Sequence, residues 1–143
     1  MMDDLLRMNE LRQQGFTCSQ ILFLLDMEAR GKSNPELVRA MQGLAGGLGF
    51  TGLTCGALTG AACLLGLYAG KGCPEGEEDP RLLFMIEDLV SWFRQSYQGR
   101  FGGIDCEKIL ASESGGMTNR CGLIVLETRL KVKELLVENG FDG

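Results

Sequence analysis

Apolar residues along this chain recur at helical spacing from one end to the other. Over residues 3–14, Leu5, Met8 and Leu11 share a face, and Gly15 supplies a stop. Residues 18–29 form a strongly apolar second stretch. Asn34-Pro35-Glu36 reads as a cap followed by proline at the first helical position, opening a third helix to about residue 44. Residues 43–52 hold five glycines and read as a turn. A fourth helix spans 55–69, and a polar loop covers 71–79. Asp79-Pro80 opens a long fifth helix that ends near Gln98, with Gly99 beyond it. Residues 106–111 form a short sixth helix, residues 112–118 a loop, and residues 120–138 a last helix stopped by Asn139-Gly140. Leu123-Ile124-Val125-Leu126 would suit a strand, but Glu127, Arg129, Lys131 and Glu134 continue the pattern of a helix. The expectation is one all-α domain over residues 1–143, a compact bundle of six or seven helices around a central Gly/Ala-rich helix.

Residues 40–70 carry no charged side chain, so a membrane span has to be weighed. Gly56-x-x-x-Gly60 would be its packing face. The five glycines interrupt that run and leave about 17 helical residues, at the short end for crossing a bilayer. A buried central helix, packed closely through Gly56, Ala57, Gly60 and Ala61, fits better, and no membrane span is expected.

The apolar fraction of 45% in 143 residues supports a core without covalent staples. With 14 Lys and Arg against 19 Asp and Glu, the net charge is -5. Nucleic-acid binding is not expected, because no basic stripe is visible. The chain contains no histidine. That removes the commonest general base near neutral pH and the commonest nitrogen ligand for metals. It also excludes a Cys-His nucleophilic pair and a C-x-x-C-H haem attachment. The opening MMDDLLRMNELRQQG has early acidic charges and no apolar core of a secretory signal. A cytoplasmic protein is expected, in which thiols are normally reduced and structural disulfides are rare.

Against that background, three of the six cysteines repeat one local design. Thr17-Cys18, Thr54-Cys55 and Asp105-Cys106 each place a capping residue before the cysteine, with apolar flanks at the spacing of a hydrophobic staple. Thr17 and Gln20 also match a capping box. Each cysteine then falls at the first helical position. In Asn119-Arg120-Cys121, Asn119 caps and Cys121 falls at the second position. First-turn amides and the positive end of the helix dipole favour thiolate over thiol. Such cysteines reach pKa values of about 3.5–7.5, against ~8.5 for a free thiol. Cys63 lies about 80° around the helix from Cys55 and is expected to fill core. Cys73, in Gly72-Cys73-Pro74-Glu75-Gly76, is expected at the surface. Trp92, Phe93, Tyr97 and Phe101 read as core, and the acidic residues at 75–79 and 87–88 as solvated. Arg120 is read as a surface residue beside Cys121.

Cys18, the block Cys55-Gly56-Ala57-Leu58-Thr59-Gly60, Cys106 and Cys121 together resemble the signature of the C-GCAxxG-C-C family of redox-active proteins. Phe101-Gly102 and Cys121-Gly122 fit the same pattern, and the resemblance covers nearly the whole chain. It implies a small bacterial or archaeal protein linked with anaerobic metabolism, with a redox role resting on its cysteines.

Two chemistries follow for Cys18, Cys55, Cys106 and Cys121. In one, they act as catalytic or electron-carrying thiols that cycle between dithiol and disulfide, with a redox partner protein or a small thiol as electron donor. Cys106 and Cys121, only 15 residues apart, are then the first pair. In the other, the same four are metal ligands, since all-cysteine ligation suits zinc or an iron–sulfur cluster. A helical interaction module with the cysteines as packing is a third reading. The first two expect the four sulfurs to meet in one place, with Cys63 and Cys73 outside the group.

Overall fold

The computed structural model describes residues 2–111 and 119–141. Seven helices pack together in it: α1 Met2–Gln13, α2 Cys18–Ala29, α3 Pro35–Met41, α4 Gly56–Ala69, α5 Arg81–Phe101, α6 Cys106–Ala111 and α7 Asn119–Glu138. Among the described residues there is no strand, only one isolated antiparallel bridge between Thr54 and Asp105. The all-α expectation holds. No helix among the described residues is long and apolar enough to cross a membrane.

Helix α4 sits at the centre, packed against α2, α5 and α7. Its small residues explain why. A Cβ built on Gly60 would lie 3.3 Å from both Cα and Cβ of Ser19, and one built on Gly56 would lie 2.7 Å from the Cys18 sulfur. The Gly56-x-x-x-Gly60 face therefore lets α2 approach along its first turn. Phe23, Leu64, Leu65, Met85, Leu89 and Val132 close the core from four helices. Phe93 and Tyr97 are buried on α5 and meet edge to face at 4.7 Å, as core aromatics do.

Local signals account for most helix ends. Gly15 takes φ +94° after α1, and Asn34 Oδ1 accepts from the Leu37 amide at 3.2 Å to open α3. Asp79 Oδ1 accepts from the Arg81 amide at 2.9 Å to open α5. The end of α5 corrects the expectation. The helix runs through Gly99 and stops where Gly102 takes φ +79°, in the left-handed form that ends helices. Gly99 has nothing near the place of a Cβ and simply continues the exposed turn. The third helix is also shorter than expected, since after Met41 the chain tightens into a 3₁₀ turn over Gln42–Leu44. The loop expected at 112–118, the Asn119 side chain and the Arg120 side chain lie outside the described residues.

Candidate functional site

Four segments bring their cysteines to one place. Cys18 stands at the first position of α2, capped by Thr17, whose amide donates to Gln20 Oε1 at 3.0 Å. The same turn is tied to α3: Ser19 Oγ donates to the Met41 carbonyl at 2.7 Å and Gln20 Nε2 to that of Val38 at 3.2 Å. Cys55 is itself the N-cap of α4, so Thr54 is not the cap and the cysteine sits one position earlier than expected. Cys106 is the first residue of α6. Asn119 is already helical and is not the cap, so Cys121 falls at least one position deeper in α7 than expected.

The Thr54–Asp105 bridge joins two of these starts. The Cys55 amide donates to the Ile104 carbonyl at 3.2 Å, the Cys106 amide to Leu53 at 2.6 Å, and the Glu107 amide to Gly52 at 3.2 Å. In an antiparallel pair, residues on either side of the bridging ones share a face. Cys55 and Cys106 are therefore diagonal neighbours on one face of this clamp.

A small cavity of about 30 Å³ is lined by Cys18, Cys55, Cys106 and Cys121. Cys63 and Cys73 are both exposed and outside it. Cys73 sits as expected. Cys63 corrects the reading as core filler: it falls on the solvent side of α4, because the 80° rotation from Cys55 carries it off the buried stripe. None of the six cysteines is in a disulfide. Among the described residues, no group of three or more cysteines and acids stands at metal-ligating spacing.

Electrostatics reverse the expectation of acidic thiols. Burial pushes Cys55 up to about 12, against the amides of Ala57 and Leu58, which favour its anion. Burial also raises Cys18, against the amides of Gly46, Ser19 and Cys18 itself. Cys106 is raised by burial and then by the charges of Cys121 and Cys18. Helix-start amides do act on Cys18 and Cys55, but the loss of water outweighs them. At Cys106 the first-turn amides are already engaged by the Leu53 and Gly52 carbonyls. The thiols also raise one another, Cys18 and then Cys106 acting on Cys55, and Cys121 and Cys18 on Cys106. These four sulfurs form one electrostatic unit.

The cover of the cavity was not legible in the sequence. Residues 46–50 all take positive φ, at 65°, 75°, 67°, 64° and 64°. This is a left-handed turn of five residues, and two of them, Leu48 and Phe50, are bulky. Such residues cost roughly 1–2 kcal/mol each in this conformation. The turn is held by the Phe50 amide on the Ala45 carbonyl at 3.0 Å and the Thr51 hydroxyl on the Gly47 carbonyl at 2.8 Å. Gly46 and Phe50 line the cavity, although the Phe50 residue is 63% exposed overall. A Cβ on Gly46 would strike the Phe50 ring at 2.2 Å, and one on Gly47 the Leu53 backbone at 2.4 Å. The glycines at 43–52 signalled a turn, but not one folded over the sulfurs.

Tyr97 and Glu127 were also missed as polar neighbours. The Tyr97 hydroxyl donates to Glu127 Oε1 at 2.6 Å, and burial followed by this bond raises the tyrosine. Cys55 is near enough that its charge would raise the tyrosine further.

The fold and the site define a class: an all-helical protein in which four cysteines from four helix starts share one cavity. The chain belongs to the family described as "Putative redox-active protein (C_GCAxxG_C_C)", whose profile matches residues 16–135. Neither the curated proteins nor the solved structures give a match.

Proposed function

We propose that this protein is a thiol–disulfide redox protein whose four clustered cysteines exchange electrons in pairs. One observation carries the reading: the four cysteines of the family signature, far apart in sequence, line one cavity, while Cys63 and Cys73 stand outside it. Packing alone gives no reason for that division.

In the forward step, Cys106 and Cys121 pass two electrons and two protons to a disulfide of a redox partner protein or a small disulfide. They become a disulfide, and the partner becomes a dithiol. Cys106 stands between the two pairs: it lies beside Cys55 across the Thr54–Asp105 bridge and lines the cavity with Cys121. Cys55 and Cys18, both raised toward the neutral thiol by burial, supply a second pair to reduce the first. Exchange requires a thiolate. Since burial is what keeps these sulfurs neutral, movement of the 46–50 turn that admits water is the activating event.

The test is mass mapping of anaerobically purified protein after titration with oxidised glutathione. A Cys106–Cys121 disulfide should form first, and Cys121→Ser should leave Cys106 as a mixed disulfide with glutathione. Absence of any disulfide among the four overturns the proposal. Elemental analysis and a visible spectrum of the same sample test the metal reading. Stoichiometric zinc or iron released on Cys→Ser substitution would put ligation in place of exchange.

A further inference from the structure

The same three helices that carry Cys18, Cys55 and Cys121 at their starts meet again toward their ends. There, Asp26 and Arg30 of α2, Tyr68 of α4, and Arg129 and Lys133 of α7 surround a second cavity of about 260 Å³. Its far wall is apolar, made by Leu136, Val137 and Phe141.

Arg129 is the unusual group. It carries a permanent charge, yet the residue is only 2% exposed. Its Nε donates to Asp4 Oδ2 at 3.3 Å and its Nη1 to Asp26 Oδ1 at 3.4 Å. Both contacts are long for charge-assisted bonds, which run at about 2.7–2.9 Å. Among the described residues no acceptor meets its Nη2. A guanidinium has five N–H donors, and since Thr128 Oγ1 is the only buried side-chain polar atom without a partner among the described residues, Nη2 is not sealed off but accessible.

Asp26 cannot supply the missing acceptor. Its Oδ2 takes Arg30 Nε and Nη2, both at 2.9 Å, and the Tyr68 hydroxyl donates to it at 3.2–3.3 Å. Arg30 also lies over the Tyr68 ring at 4.8 Å, which fixes both groups. Counting Asp4 behind Arg129, three cations, Arg30, Arg129 and Lys133, face two carboxylates. Among the described residues, the side chains there leave one positive charge in excess. The C-terminal end of α2 beside it is negative, and Arg30, at its C-cap, offsets that end.

We propose that this cavity binds a small carboxylate bearing an apolar group. The carboxylate accepts from Arg129 Nη2 and pairs with Lys133, and the apolar part lies on Leu136, Val137 and Phe141. The site is separate from the cysteine cavity and does not depend on the redox reading. No residue that lines it lines the thiol cavity.

The test is calorimetric titration of the whole protein with three probes: benzoate, its neutral analogue benzamide, and inorganic phosphate. Benzoate should bind at one site per chain, at least ten times more tightly than either of the others. Lys133→Gln, at an exposed position, should weaken benzoate at least fivefold while leaving the unfolding temperature in place. Arg129→Lys should weaken it further. Equal binding of benzoate and benzamide would remove the charge recognition. Phosphate matching benzoate would remove the apolar wall, and full benzoate affinity in Lys133→Gln would overturn the site.

Discussion

Thr54 faces Asp105 in a single antiparallel bridge, and that contact holds two cysteine-bearing helix starts against each other. Cys55 follows the first residue and Cys106 the second. The three backbone hydrogen bonds around the bridge fix the two segments without any side-chain contribution.

The bridge predicts an unusual exchange pattern. First-turn amides of a helix have no partner within the helix and normally exchange quickly with solvent. The amides of Cys106 and Glu107 lie in such a turn but donate to Leu53 and Gly52. Both should be protected in hydrogen-exchange measurements, as should the amide of Cys55. Exchange of the Cys106 amide at the rate of a free helix start would show that the clamp is not formed.

Leu48 predicts a stabilising substitution. It takes φ 67° and is 47% exposed, so the side chain forgoes about half its burial while the backbone is strained. Leu48→Gly removes that strain, offset in part by the greater freedom of glycine in the unfolded chain, for a net gain of roughly 0.5–1 kcal/mol. The unfolding temperature should rise by a few degrees. Phe50→Gly relieves the same strain but removes a wall of the cysteine cavity, so it should speed alkylation of Cys18 where Leu48→Gly does not.

Gly56 predicts the opposite. The added methyl of Gly56→Ala would stand 2.7 Å from the Cys18 sulfur and 3.0 Å from the Leu44 carbonyl oxygen. Overpacking of this kind costs about 1–3 kcal/mol. Urea denaturation should show that loss, and Gly60→Leu, built against Ser19 and Leu22, should show one of similar size. A Gly56→Ala variant as stable as the parent would mean that α2 and α4 are not in close contact at their starts.

The raised thiols set a pH dependence. Cys55 is pushed up to about 12, and Cys18 and Cys106 are raised as well. Between the unfolded value and the folded one, the native state holds protons that the unfolded state has released. Stability is therefore whole below the ordinary thiol range and falls as pH rises from about 9 toward 12. Cys55→Ala should flatten that fall in chemical denaturation at pH 8 and pH 10. Alkylation at neutral pH should reach the exposed Cys63 and Cys73 first and Cys55 last, the reverse of what helix-start positions alone suggest.

Much of this was legible from local pattern. The helix over Cys18–Ala29, the cap at Asn34 with Pro35 behind it, and the stop at Gly140 depend on residues within a turn of one another. Local sequence therefore determined them, together with the all-α class and the small-residue face of α4. The division of six cysteines into four and two was also visible, because three of the four sit in repeated helix-start segments.

What the sequence could not determine is anything set by partners far along the chain. The thiols were expected to be acidic from their own helix starts, but their ionisation is decided by burial under a turn from 46–50 and by amides donated to Leu53 and Gly52. Cys63 looked like core until the packing of α4 fixed which stripe faced solvent. Arg129 read as one charge on an amphipathic helix, and only the assembled fold shows it buried between Asp4 and Asp26. Helix periodicity and capping are short-range, so residues within a few positions specify them. Desolvation and charge coupling depend on which distant segments close over a group, and that is decided only when the helices pack.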